Sequence, residues 1–314
     1  MQRLLEWLKI QLPHEAVDPH PLKGDASFRQ YFRLTLPNKN YIAVNSPPAT
    51  ENNEAFVKIS QAYLNLGLIV PEVIAHDLDQ GFLLLTDLGD DVLFQLLSPE
   101  NADLYYQKSL VELGKIQTCD LALPHFDATF MSTELKHFEE WLLHKHLNIK
   151  LSPVSKKVLQ KTFDLLLLSA TTQPQCSIHR DYHSRNLMVL ENQTIGILDF
   201  QDAMIGPITY DLVSLIRDCY IDWPQNQVTE WALFFHDAFL KTKLPSQEEF
   251  LRYLDLMGIQ RHLKASFIFA RKHHRDSVDR YLKDIPRTLN YVTTVSENYA
   301  ELRDFKSFIE DNAL

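Results

Sequence analysis

No stretch of this 314-residue chain approaches the roughly 20 continuous apolar residues needed to cross a bilayer. The first nine residues, Met1-Gln2-Arg3-Leu4-Leu5-Glu6-Trp7-Leu8-Lys9, are broken by charge where a secretory signal would stay apolar, so the chain is expected to remain in the cytoplasm. Cysteine is scarce. Cys119, Cys176 and Cys219 are odd in number, far apart and without a short metal-binding spacing, which argues against a disulfide framework or a structural zinc and predicts buried free thiols. Positive charge is in deficit, 31 Lys and Arg against 41 Asp and Glu, and a formal net of −10 argues against a general nucleic-acid or anionic-membrane surface. The 45% hydrophobic content is ordinary and suffices for a buried core in one large domain or two.

Against these absences, residues 176–200 stand out. They read Cys-Ser-Ile-His179-Arg-Asp181-Tyr-His-Ser-Arg-Asn186-Leu-Met-Val-Leu, a short polar turn, then Ile-Gly-Ile-Leu-Asp199-Phe200. His-x-Asp-x-x-x-x-Asn followed 18 positions after its Asp by a second Asp (199 − 181) is the spacing of a kinase catalytic loop and its metal-binding aspartate. Phosphoryl transfer needs one carboxylate to receive the acceptor hydroxyl's proton and oxygen ligands to hold Mg²⁺ on the nucleotide phosphates. Asp181 suits the first task, Asn186 and Asp199 the second. The apolar runs Leu187 to Leu190 and Ile195 to Leu198, joined by Glu191-Asn192-Gln193-Thr194, predict a hairpin that holds Asn186 and Asp199 side by side at one end. Alone, each feature is a capped turn or a strand end; the combination points to chemistry.

Leu4, Leu5, Trp7 and Leu8 predict an amphipathic helix over residues 1 to about 12. Alternation in Phe32, Leu34 and Leu36, the turn at residues 37–40 and then Tyr41 to Val44 predict a β-hairpin, with the small-residue loop Gly24-Asp25-Ala26-Ser27 before it. Its one glycine is a weak phosphate-loop signal. Residues 54–64 form a helix ending near Gly67, and Val73 to Ala75 with Phe82 to Leu85 a second hairpin. Ser132-Thr133 and Ser152-Pro153 are expected helix starts. Asp211 is placed to cap the helix that residues 206–212 open. Residues 260–287 carry eight Lys or Arg against three acids, interrupted by Phe267 to Ala270, so part of this basic tract is buried and its arginines need an anionic partner, a substrate carboxylate or an internal acid.

The catalytic segment resembles that of the aminoglycoside phosphotransferase and choline kinase superfamily. Together with residues 24–33, Thr86-Asp87-Leu88-Gly89-Asp90, residues 215–224 and Gln260-Arg261-His262-Leu263-Lys264, it is similar to one branch, the bacterial cell-wall sugar kinases that phosphorylate N-acetylmuramate and N-acetylglucosamine at the anomeric hydroxyl in peptidoglycan recycling. This resemblance, over roughly residues 20–290, implies an α+β, bilobal protein-kinase-like fold, a small antiparallel-sheet lobe (1–88) that binds nucleotide and a larger, mainly helical lobe (89–314) carrying the catalytic hairpin. It implies ATP and Mg²⁺ as cofactors, a small-molecule amino sugar as partner, and Asp181 as base. Ser27, Phe28 and Arg29 would cover the nucleotide, the main chain at Asp87 and Leu88 would pair with adenine, Asp202, Arg271 and His274 would meet the acceptor, and His179 and Asp211 would support the loop. The chain departs from the general kinase pattern at Val44-Asn45, where no phosphate-binding lysine stands. The sugar-kinase branch lacks it as well, and Lys23, Arg29 and Lys58 are unranked replacements. Glu51 and Glu54, without that lysine, read as solvated. Two rivals stay open: a kinase for aminoglycosides, choline or another small acceptor, and a nucleotide-binding pseudokinase.

Overall fold

Phe32 and Leu34 alternate with Arg33 and Thr35 along Gln30–Thr35, and the strand period of two turns the apolar pair into a core. The structure, a computed structural model, describes residues 1–22, 28–244 and 246–314; the loop at 23–27, with Lys23 and Ser27, lies outside the described residues. Strands β1 (Pro19–Pro21), β2 (Gln30–Thr35), β3 (Asn40–Asn45), β4 (Val73–Asp77) and β5 (Phe82–Thr86) form one antiparallel sheet in the order β1-β2-β3-β5-β4. Helix α1 (Gln2–Gln11) sets Leu4, Trp7 and Leu8 against Phe32, Leu34 and Phe82. Helix α2 (Asn53–Asn65) begins at an Asn52 cap that accepts from the Ala55 amide and gives way to Gly67, whose φ of +72° suits glycine.

Two compact units emerge, Met1–Ser98 with Ser184–Ala203, and Pro99–His183 with Met204–Leu314. The expected division after residue 88 put the catalytic hairpin with the helices; by packing, residues 184–203 group with the small sheet. Side-chain burial gives the reason. Phe200 is wholly buried, its ring 4.8 Å from that of Phe56 and 5.8 Å from that of Tyr63, both on α2. The hairpin itself, β7 (Leu187–Val189) and β8 (Ile195–Ile197), pairs Leu187 with Ile197 and Val189 with Ile195 as the apolar runs predict. Its Ile197 amide donates to the Ile69 carbonyl at 2.8 Å. A Cβ at Gly196 would lie 2.9 Å from Leu190 Cδ1 and 3.0 Å from Leu88 Cδ1, so a larger residue there would have to push those side chains aside. The short helix α3 (Leu93–Leu96) completes this unit.

The second unit is helical: α4 (Ala102–Ile116), α5 (Ala128–His137), α6 (Pro153–Thr172), α7 (Tyr210–Ile216), α8 (Gln225–Phe235), α9 (Gln247–Asp276), α10 (Ile285–Ser296) and α11 (Arg303–Asn312). α5 runs on through π-helical turns at Phe138–His146. One strand pair, β6 (Gln175–Ile178) with β9 (Met204–Pro207), flanks the catalytic segment; the second strand, carrying Gly206 and Pro207, has no strand signature in the sequence. Ser152 caps α6 as expected, accepting from the Ser155 amide at 3.0 Å. Ser132 and Thr133 instead lie inside α5, which starts at Asp127, whose carboxylate accepts from the Phe130 amide at 2.8 Å. Thr133 spends its hydroxyl on the Thr129 carbonyl, the within-helix alternative open to any Thr. Among the described residues all three cysteines are buried and outside any disulfide, and no helix is long and apolar enough to cross a membrane.

Candidate active site

Strand β6 delivers the chain into His179 with its backbone already committed to β9, and the next two amides find a buried acid. Asp211 Oδ2 accepts from the His179 amide at 2.5 Å and Oδ1 from the Arg180 amide at 2.9 Å. α7 begins at Thr209 and makes no side-chain cap, so the Asp211 carboxylate serves the loop and not the helix end. Burial pushes the Asp211 carboxyl up, with His179 and the two amides pulling it back. Arg180 sits at φ +77°, a left-handed conformation costing about 1–3 kcal/mol outside glycine, which these two bonds hold in place. His179, fully buried, accepts the Asp181 amide on Nδ1 at 3.3 Å.

Asp181 keeps 36% of its side chain exposed, yet its Oδ1 faces two buried cations of α9, Arg261 Nη2 at 3.4 Å and Lys264 Nζ at 3.7 Å. Burial pushes its carboxyl up, but Lys264, joined by Arg261, His183 and Arg180, outweighs that and holds it well below the usual carboxylate range. The cations are anchored elsewhere too. Arg261 Nε donates to Ser214 Oγ at 2.9 Å and Lys264 Nζ to the Tyr210 hydroxyl at 3.0 Å. Glu134 on α5, buried, supplies the second anion, 3.8 Å from Lys264 and 3.5 Å from Arg180 Nη2, and accepts from Gln260 at 3.1 Å. The basic tract's buried half thus finds internal acids, one of the two partners its sequence demanded.

A small, partly open pocket lies against Arg261, lined also by His183, Ser214, Arg217, Asp218 and His262. Its wall holds two guanidinium groups and one carboxylate. Arg217 is 4% exposed; its Nη2 meets Asp255 at 2.6 Å, while Nε and Nη1 have no hydrogen-bond partner among the described residues. Gly258 makes room for it: a Cβ there would stand 3.1 Å from Arg217 Nη1. His262 is buried and gives Nε2 to the Arg217 carbonyl at 2.9 Å, and burial pushes its imidazole down to about 3, so it is neutral.

In the other unit, the open end of the hairpin brings Asn186 and Asp199 together. The Leu198 amide donates to the Asn186 carbonyl at 2.9 Å, and Asn186 Nδ2 lies 3.4 Å from Asp199 Oδ2. Gln201 holds Asp199 Oδ1 at 2.7 Å, and Asp199 itself adopts φ +62°. A carboxylate beside a side-chain amide, once the amide presents its oxygen, is a donor set suited to a hard cation such as Mg²⁺. Of the candidate cations, Lys58 is exposed and paired with Glu54 one helical turn away. Arg29, by contrast, is buried, its Nη2 3.1 Å from Glu51 and its Nε donating to Ser46 Oγ at 3.1 Å, so neither Arg29 nor Glu51 is a solvated side chain. Burial raises the neighbouring Tyr31 phenol to about 12; Arg29 lowers it, and Asp199 and Glu51 raise it, so all three charges act on one spot. Phe28 is 69% exposed. Asp87 is taken up by Arg33, Nε to Oδ2 at 2.6 Å, and by the Gly89 amide at 2.9 Å, so the Asp87–Leu88 stretch has its main chain and not that carboxylate to offer a base.

Asp202 is an exposed turn residue. Arg271 is half-buried with its guanidinium 5.8 Å from the Phe267 ring, seven residues and about 10 Å along α9 from Lys264. His274 stands near the end of α9 beside His146 and His273. Glu134 escaped sequence reading because one acid in an amphipathic helix carries no signal; Arg217, Arg261 and Lys264 were visible as members of the resembling stretches or of the basic tract, without a role of their own.

Comparison with known proteins follows the same lines. The profile of a family described as phosphotransferase enzyme family matches residues 18–251. Among curated proteins, the N-acetylmuramate/N-acetylglucosamine kinase of Pseudomonas aeruginosa is 40% identical over 289 residues, 90% of this chain and 85% of that protein. The protein of the same name from Neisseria meningitidis serogroup B is 36% identical over 310 residues, covering 96% and 92%. Among solved structures, choline kinase LicA from Streptococcus pneumoniae superposes with a TM-score of 0.66 at 15% identity over 94% of this chain and 99% of that one. A thermostable mutant of aminoglycoside phosphotransferase APH(4)-Ia gives 0.62, again at 15% identity, over 94% and 99%. These structural likenesses establish a protein-kinase-like fold.

Proposed function

Because the chain belongs to the phosphotransferase enzyme family, we propose that it transfers the γ-phosphoryl group of ATP to the anomeric hydroxyl of N-acetylmuramate or N-acetylglucosamine, giving a sugar 1-phosphate and ADP. The observation that carries this reading is Asp181, held ionised by Arg261 and Lys264 against a pocket rich in guanidinium. The acceptor class comes from the names of the relatives. The acceptor hydroxyl donates to Asp181. A carboxyl with so low an affinity for protons orients the oxygen first and takes the proton late, as the new O–P bond forms, which suits a loose transition state. Asn186 and Asp199 would hold Mg²⁺, which when bound would supply charge neutralisation on the phosphate oxygens. The buried Arg29–Glu51 pair takes the part of the absent lysine in organising the phosphates, and the main chain at Asp87 and Leu88 receives adenine. Such a product belongs to the recycling of peptidoglycan amino sugars.

Arg217, whose guanidinium lines this pocket, is the group through which a carboxylate-bearing sugar is preferred. A cationic acceptor such as an aminoglycoside or choline calls for acids, and this pocket offers only Asp218 among two guanidinium groups. Phosphorus NMR of the product tests the reading: coupling of the phosphate to the anomeric proton is expected, and a methyl glycoside blocked at that oxygen should not react. Phosphorylation at C6, or efficient use of the glycoside, overturns it. Asp199→Ala should raise the Mg²⁺ requirement and nearly abolish transfer, with Asn186→Ala milder; unchanged Mg²⁺ dependence in both removes them from the metal site.

A further inference from the structure

Three imidazoles converge on the surface of the helical unit, away from the Asp181 cluster. His273 and His274 occupy the last turn of α9, and His146 ends the π-helical extension of α5. Their ring centroids are 5.9, 5.5 and 4.6 Å apart pairwise, and one ring nitrogen from each lies within 4.8 Å of the others. A tetrahedral zinc with Zn–N bonds of about 2.0–2.1 Å needs nitrogens roughly 3.3 Å apart, so imidazole rotations closing about 1.5 Å at most would complete the shell.

We propose that His146, His273 and His274 form a site for a divalent transition ion of the zinc class, its fourth position left to water, that ties the end of the α5 extension to the end of α9. Three features of the surroundings favour it. Asp279 engages His273 Nδ1 at 2.6 Å, the carboxylate–histidine arrangement that fixes the tautomer and leaves Nε2 as the donor to metal. The carboxyl end of a 30-residue helix favours a cation. Two of the adjacent cations are paired, Lys145 with Glu140 at 2.8 Å and Arg275 with Asp276 at 2.7 Å, which reduces their repulsion of an incoming ion. Imidazole donors select Zn²⁺, Ni²⁺ or Cu²⁺ over Mg²⁺, so this site is chemically separate from the oxygen donors of Asn186 and Asp199.

The untagged full-length chain, stripped with chelator and held in millimolar Mg²⁺, should bind one equivalent of Zn²⁺ by equilibrium dialysis, with a rise in Tm. Co²⁺ should give the visible absorption of a tetrahedral nitrogen-ligated ion and be displaced by Zn²⁺. His146→Gln with His273→Gln should abolish the stoichiometric site, and Asp279→Asn should weaken it about 10- to 100-fold. Saturable binding of equal strength in the double variant overturns the proposal. Should that variant fail to fold, the wild-type measurement decides: absence of one-equivalent Zn²⁺ binding, or a Co²⁺ spectrum of an octahedral aquo ion, overturns it equally.

Discussion

The two ends of the basic tract on α9 have similar composition and opposite fates. Gln260 to Lys264 are buried, and their charges are met by Asp181 and Glu134 from other segments of the chain. Arg271 to Arg275 lie at the half-buried or exposed end, where Arg275 pairs with its own neighbour Asp276 and Arg271 rests on Phe267. Paired within one turn of helix, a surface charge is worth little; a buried one, once its partner is removed, is left in a medium that cannot solvate it. A run of Lys and Arg therefore carries no single meaning along its length.

Breaking the buried end at its anion gives the largest effect. Asp181→Asn should cut kcat about 10²- to 10⁴-fold, the span of a positioned general base, with Mg-ATP still raising Tm as in the wild type. Near wild-type turnover would remove Asp181 from that role. Removing a cation instead should tell in stability: Lys264→Met should cost about 3–5 kcal/mol in urea denaturation by stranding Glu134 and Asp181. Combined with Asp181→Asn it should cost less than the sum by about 0.5–3 kcal/mol, and strict additivity would show that the two charges are not coupled.

The same buried end makes a pH prediction. His262 has its folded pKa lowered to about 3, against about 6.5 when unfolded. Its contribution to stability is complete above the unfolded value and is lost as pH falls from there towards 3, at up to about 1.4 kcal/mol per pH unit. Asp181, likewise depressed, contributes fully above about pH 5 and loses that contribution only on further acidification, because its unfolded pKa is about 3.9. Between about pH 6.5 and 5 the loss should therefore be smaller in His262→Gln than in the wild type; parallel curves would place a titrating imidazole elsewhere.

At the exposed end the effects should be smallest. Arg271→Glu should change stability by no more than about 0.5 kcal/mol, as surface substitutions do. In kinetics it should raise KM for N-acetylmuramate by a few-fold and leave N-acetylglucosamine unchanged if it meets the sugar's carboxylate. Equal loss for both sugars would make Arg271 structural.

Local pattern determined much of this protein in advance. The alternation of Phe32 and Leu34, the Ser152-Pro153 cap, the Gly67 stop and the Leu187 to Asp199 hairpin depend on residues a few positions apart, where sequence spacing fixes geometry. The order Asp181, Asn186, Asp199 was legible for the same reason, and with it the kinase chemistry. Tertiary structure alone decided which charges meet. Glu134 reaches Gln260 across 126 positions and Asp181 reaches Arg261 across 80, and Arg29, an unranked candidate on sequence grounds, is drawn inward by Glu51 and Ser46. A charged side chain looks the same in a sequence whether water or another segment solvates it, and only the folded chain supplies the partner that makes burial affordable.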